Sequence, residues 1–77
     1  MEFGAEVDAR GLPCPLPLLR AKQALAGLAG GEALRVLTTD RASPRDFAAY
    51  AEATGHRLEC VEETDGVIRI FLRKREV

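Results

Sequence analysis

Between Phe3 and Thr38 the spacing of apolar residues changes twice, and this limits the available folds more than any other feature. Phe3, Ala5, Val7 and Ala9 alternate with Glu2, Gly4, Glu6 and Asp8, the period of a strand with one buried face. The alternation stops at Arg10-Gly11-Leu12-Pro13, a turn-like stretch punctuated by Gly and Pro. Leu18, Ala21, Leu25 and Leu28 then recur at helical spacing, with Leu19 beside them. This predicts a helix from about Pro15 to about Ala29, ended by Gly30-Gly31, because Pro is tolerated in a first turn whose N–H groups lack partners anyway. The near-continuous apolar run from Leu34 to Thr38 suits an interior strand. Strand, helix and strand with short links imply parallel pairing through a right-handed crossover.

The second half repeats the pattern with stronger punctuation. Ser43-Pro44-Arg45-Asp46 reads as a helix start, with Ser43 as cap and Pro44 in the first helical position. Phe47, Tyr50, Ala51 and Thr54 supply the stripe, and Gly55 the stop. Arg57 to Glu62 is a third strand, and Val67 to Arg73 a fourth with Ile68, Ile70 and Leu72 on one face. Asp65-Gly66 between them is a strong hairpin signal. The fold class expected is α/β (α+β): a two-layer βαβαββ sandwich, a four-stranded mixed sheet with two helices on one face.

A chain of 77 residues, 47% apolar and 30% charged, is expected to form one domain over residues 1–77. Eleven basic against twelve acidic side chains leave a net charge of −1. No basic excess asks for nucleic acid, and Phe3, Phe47, Phe71 and Tyr50 are too few aromatics for a base-stacking sheet. No apolar run approaches the ~20 residues that span a bilayer. Met1-Glu2-Phe3-Gly4 lacks the basic and apolar regions of a secretory leader. The expectation is a cytoplasmic, monomeric protein.

Cys14 carries the chemistry. It sits between Pro13 and Pro15, with Pro17 two residues on, immediately before the first predicted helix. Unpartnered N–H groups and the positive end of the helix dipole meet there. Such a setting is expected to lower a thiol below its ordinary ~8.5 and supply the thiolate that attacks sulfur. Arg10 and Arg20 are candidate sources of further positive potential. The prolines should hold the thiol on a stiff ledge, which lowers the entropy cost of docking. A lone cysteine is more often a small buried hydrophobe, but the Pro-Cys-Pro context reverses that. One His and two distantly spaced cysteines argue against a metal site, and no cofactor is implied.

At this run the sequence resembles the TusA/SirA-like sulfur carriers. Asp8-x-x-Gly11-Leu12-x-Cys14-Pro15-x-Pro17, followed by Lys22 and Leu25, carries the resemblance. Gly31-Glu32-x-Leu34-x-Val36, Thr39-Asp40, Ser43-x-x-Asp46, Gly55-His56 and Glu63-Thr64-Asp65-Gly66 extend it. It implies the same βαβαββ fold. It also implies that Cys14 accepts sulfane sulfur as a persulfide from a donor such as a cysteine desulfurase or rhodanese. The sulfur would pass to an acceptor protein in tRNA thiolation, molybdenum-cofactor or sulfur-oxidation routes. The position between the prolines is often Glu in that family, and here it is Leu16.

Of the other motif positions, Gly11 should supply a turn conformation, Leu12 and Pro17 support the loop, and Asp8 should hydrogen-bond within it. Lys22 is read either as a persulfide or partner contact or as a solvated helix face. Asp40 should cap the loop after the second strand, with a smaller chance of touching a partner. His56 is read as polar surface. Cys60 shares strand parity with Leu58, so both should face the core, which makes Cys60 an inert buried thiol. Two other readings stand beside the sulfur carrier. One is an RNA- or protein-binding regulatory module, since the small sandwich resembles an RNA-contacting domain of a translation initiation factor. The other is a redox switch through Cys14 and Cys60, which needs their Cα atoms within ~7 Å.

Overall fold

A computed structural model describes residues 3–76. Six elements follow the predicted order: β1 (Ala5–Ala9), α1 (Leu16–Ala26), β2 (Ala33–Thr38), α2 (Ser43–Thr54), β3 (Arg57–Thr64) and β4 (Val67–Arg73). The sheet runs β1-β2-β4-β3. β1 pairs with β2 in parallel, and β4 is antiparallel to both β2 and β3. This is the expected mixed four-stranded sheet.

Register explains where the core lies. Leu34, Val36 and Thr38 on β2 stand opposite Leu72, Ile70 and Ile68 on β4. All six are buried. Ala21 and Leu25 of α1, with Phe47 and Ala51 of α2, join the same cluster. Both helices therefore cover one face of the sheet, and the interior strands supply most of its apolar surface.

The other face is free of helix and carries charge. Arg35 pairs with Glu6, Arg69 with Glu62, and Arg73 with Glu59. Phe71 projects into this face opposite Arg35, yet is only 4% exposed. Phe3 lies edge-on to it at 6.3 Å, beneath the Arg35 guanidinium. Phe3 thus falls outside β1 and on the far side from Ala5, Val7 and Ala9, contrary to the predicted alternation. The chain bends at Gly4, whose N–H donates to Ala33 O at 2.7 Å.

Three further expectations are corrected. α1 ends at Ala26, before Gly30-Gly31, with the Gly27 N–H turned back to Ala24 O. Gly30 serves a close approach instead: a Cβ there would lie 2.7 Å from the Glu76 backbone. Ser43 is the first residue of α2 and not its cap, since Ala42 holds that position. The Ser43 hydroxyl is buried, 3.3 Å from Thr38 Oγ1, and donates to Asp40 Oδ2 at 3.3 Å. Asp40 does the turning, its Oδ1 accepting the Ala42 N–H.

The third correction concerns Cys60. A register shift between Leu58 and Cys60 places Leu58 opposite Leu72 but Cys60 opposite Phe71. Such a bulge sets two residues against one and breaks parity. Cys60 is therefore half-buried on the helix-free face and not in the core. The β3–β4 turn forms at Asp65 and Gly66 with φ of 53° and 81°, as that pair of residues favours.

Candidate functional site

Parallel β1 and β2 both lead into helices, so the N-termini of α1 and α2 come together at one end of the sheet. The β1–α1 loop is built from its backbone outward. Gly11 takes φ of +79° and donates its N–H to Thr39 Oγ1 at 2.9 Å, tying the loop to the end of β2. The Leu12 N–H returns to Ala9 O at 3.2 Å, and its side chain packs against the core. Pro17 is fully buried. Between these anchors Cys14 is exposed, and the Cys14–Pro15 peptide is cis.

Asp8 and Arg10 serve the loop and not the sulfur. The Arg10 guanidinium donates from Nε and Nη2 to the two carboxylate oxygens of Asp8, at 2.9 and 2.7 Å, and the Arg10 backbone N–H adds a third bond. Those donors lower Asp8 to about 2. Arg20 is exposed on α1. Lys22 places its Nζ 5.4 Å from the centre of the Tyr50 ring, a cation–π contact that joins α1 to α2. Arg10 is thus turned to Asp8, and Lys22 to Tyr50.

Carboxylates surround the thiol instead. Cys14 Sγ donates to Asp46 Oδ2 at 3.1 Å, across from the first turn of α2. Cys14, Asp40 and Asp46 bring their sulfur and oxygen atoms within 4.8 Å of one another. The arrangement is a thiol hydrogen-bonded to Asp46, with the Asp40 carboxylate beside it. The hydrogen bond to Asp46 raises the thiol above its ordinary range, and desolvation by neighbouring atoms and the charges of Asp46 and Asp40 push the same way.

This reverses the sequence expectation of a lowered pKa, and the prolines explain why. Pro15 and Pro17 have no N–H to offer. The Leu16 N–H is taken by Pro13 O at 2.9 Å. Pro15 occupies the cap position of α1, so Cys14 lies outside the helix. The helix end is thus short of the donors that would stabilise a thiolate.

Beside the cysteine, Leu16 and Leu19 are 38% and 49% exposed. Three apart on α1, they share a face and give the site an apolar shoulder. Asp46 is the partner of the thiol, and sequence reasoning placed it only at the start of the second helix. Its signal was present: an acid in the first turn of a helix that follows a strand parallel to the one leading to Cys14.

Cys14 bonds to the helix layer, Cys60 lies on the opposite face, and the sheet stands between them. Neither is in a disulfide. His56 is structural: its Nδ1 accepts the Arg75 N–H at 3.0 Å, and its ring packs on Tyr50.

An exposed thiol at a proline-braced strand-to-helix junction, on a one-sided βαβαββ sandwich, marks a small cysteine-presenting protein. The chain belongs to the sulfurtransferase TusA family, which matches residues 5–74. It is 42% identical over 73 residues to the sulfur carrier protein TusA of Allochromatium vinosum, covering 95% of this chain and 96% of that one. The TusA of Pseudomonas putida strain GB-1 is 35% identical over 71 residues, covering 92% and 89%. Among solved structures, the SirA-like protein of Desulfitobacterium hafniense superposes with a TM-score of 0.83 at 35% identity, covering 95% of this chain and all of its own. Among the described residues no helix is long and apolar enough to cross a membrane.

Proposed function

We propose that this protein carries sulfane sulfur as a persulfide on Cys14, receiving it from a donor protein such as a cysteine desulfurase or rhodanese and relaying it to an acceptor protein. The observation that carries the reading is the exposed Cys14 on its braced ledge at the start of α1, at the motif position of a family whose named relatives are sulfur carriers. The Cys14 thiolate attacks the outer sulfur of the donor persulfide. A new S–S bond forms at Cys14, the donor's S–S bond breaks, and the donor cysteine leaves as thiolate. The acceptor then takes the terminal sulfur, by the same exchange or through its own activated site. Asp8, Gly11, Leu12, Pro15 and Pro17 hold the loop in shape, while Leu16 and Leu19 meet the partner.

The protein acts as a single-domain cytoplasmic monomer without cofactor or metal, and its partners complete the site. Acceptors of tRNA-thiolation, molybdenum-cofactor or sulfur-oxidation routes fit this chemistry. The arginines of the helix-free face are matched by glutamates, which leaves the rival RNA-binding reading without a basic stripe there. The test is intact-mass measurement after incubation with a cysteine desulfurase and free cysteine. A one-sulfur adduct is expected on the wild type and on Cys60→Ser, and none on Cys14→Ser. An adduct that survives Cys14→Ser, or none on the wild type, overturns the reading.

A further inference from the structure

The nucleophile of a sulfur relay must be a thiolate at the moment of attack, yet this cysteine is placed to keep its proton. Cys14 Sγ and Asp46 Oδ2 lie 3.1 Å apart. Asp40, the second carboxylate, is held close by the turn that its own side chain makes with Ala42 and Ser43. The basic side chains of the adjoining loops are committed elsewhere, Arg10 to Asp8 and Arg41 to Glu63. Arg45 is exposed on α2, and the charges that act on the thiol are those of Asp46 and Asp40. At the helix end, Pro15 and Pro17 offer no N–H groups in compensation.

We infer that Asp46 is a positioning residue that holds Cys14 as a thiol in the unpartnered protein, and that a cationic group of a docking protein releases the thiolate by pairing with Asp46. The inference deepens the sulfur-carrier reading and rests on it for its biological sense. Its physical content is independent, because it concerns only the ionisation of Cys14. An acceptor carboxylate favours S–H over S⁻, since the proton is what it binds and the negative sulfur is what it repels. A carrier so arranged is slow to react with stray electrophiles and oxidants, which attack thiolates. It becomes nucleophilic where a partner brings positive charge over Asp40 and Asp46. The proton then leaves to solvent or to a base of the partner, and the thiolate attacks the donor's outer sulfur as above.

The experiment follows iodoacetamide alkylation of Cys14 against pH, in a Cys60→Ser background with a metal chelator present. Asp46→Asn keeps the shape of the side chain and removes its charge. The midpoint of its profile should move to lower pH, and the rate near neutral pH should rise by roughly three- to tenfold, since each pKa unit is tenfold in thiolate. Asp46→Glu, which keeps the charge, should stay near the slow wild-type profile. Circular dichroism confirms that each variant is folded. A profile for Asp46→Asn that coincides with the wild type overturns the inference. Sulfur loading from a low-molecular-weight persulfide is measured on the same variants. If no variant gains sulfur while the alkylation difference persists, the carrier reading falls and the role of Asp46 stands.

Discussion

Pro15 and Pro17 act on Cys14 in two opposed ways. They fix the backbone that presents the sulfur, and they strip the start of α1 of the N–H groups that would ionise it. The cysteine and its stiff setting were legible in the sequence, because a thiol between prolines at a period change has few other readings. Its acid partner was not, because Asp46 is 32 residues away and meets Cys14 only through the parallel pairing of β1 and β2. Gly11 isolates a different residue-level effect. Its φ is +79°, and a Cβ added there would meet nothing within 4 Å. Gly11→Ala should therefore cost only the torsional strain of a left-handed residue, about 1–2 kcal/mol. Thermal unfolding should show the melting temperature falling by roughly 4–8 °C per kcal/mol for a domain of this size. A fall well beyond that range would mean that the turn has lost its bond to Thr39 as well.

The order of helices and strands was legible because each change of apolar period is a direct imprint of which faces are buried. The ends of elements were less so. Leu25 and Leu28 continue the α1 stripe past Gly27, and Leu28 does pack against the core, but from a turn and no longer from the helix. Parity predicted the faces of β4 correctly and failed on β3, since it holds only while the ladder is unbroken and the bulge at Glu59 has no signature in residue type. The end of α1 also draws on a residue far along the chain. Lys74 Nζ donates to Leu25 O and Leu28 O at 2.7 and 2.6 Å, adding a second donor to the Leu25 O that already accepts the Leu28 N–H and placing a cation at the negative end of the helix. Lys74→Met keeps the stem and deletes both bonds. It should cost about 1–3 kcal/mol, read as a lower urea midpoint with an unchanged denaturant slope. A midpoint equal to wild type would show that water satisfies those carbonyls equally well.

At the end of the molecule away from Cys14, the segment after β4 closes the sandwich. The Gly31 N–H donates to Lys74 O at 2.9 Å, Lys74 reaches α1, and Arg75 Nη1 donates to Thr54 O at the end of α2 at 2.5 Å. The Arg75 backbone is fixed in turn by His56 Nδ1. That bond exists only while the imidazole is neutral, because a protonated Nδ1 is a donor and has no lone pair to offer. Burial of His56, with Arg75 and Lys74 nearby, lowers its pKa below the ordinary 6.5. In the pH interval between the folded and unfolded values, the unfolded chain binds more protons. Stability is then fully present above about 6.5 and declines as pH falls through that interval. Asp8, lowered to about 2 by Arg10, contributes its own loss only in stronger acid, below the ordinary carboxylate range. The two windows are therefore separable. His56→Asn offers an acceptor oxygen that does not titrate, so it should keep the contact and lose the pH dependence. Urea unfolding at about pH 7.5 and about pH 5.5 should show the wild type losing more stability than His56→Asn on acidification. If the two proteins lose stability in parallel, the closure of this end does not depend on the charge state of His56.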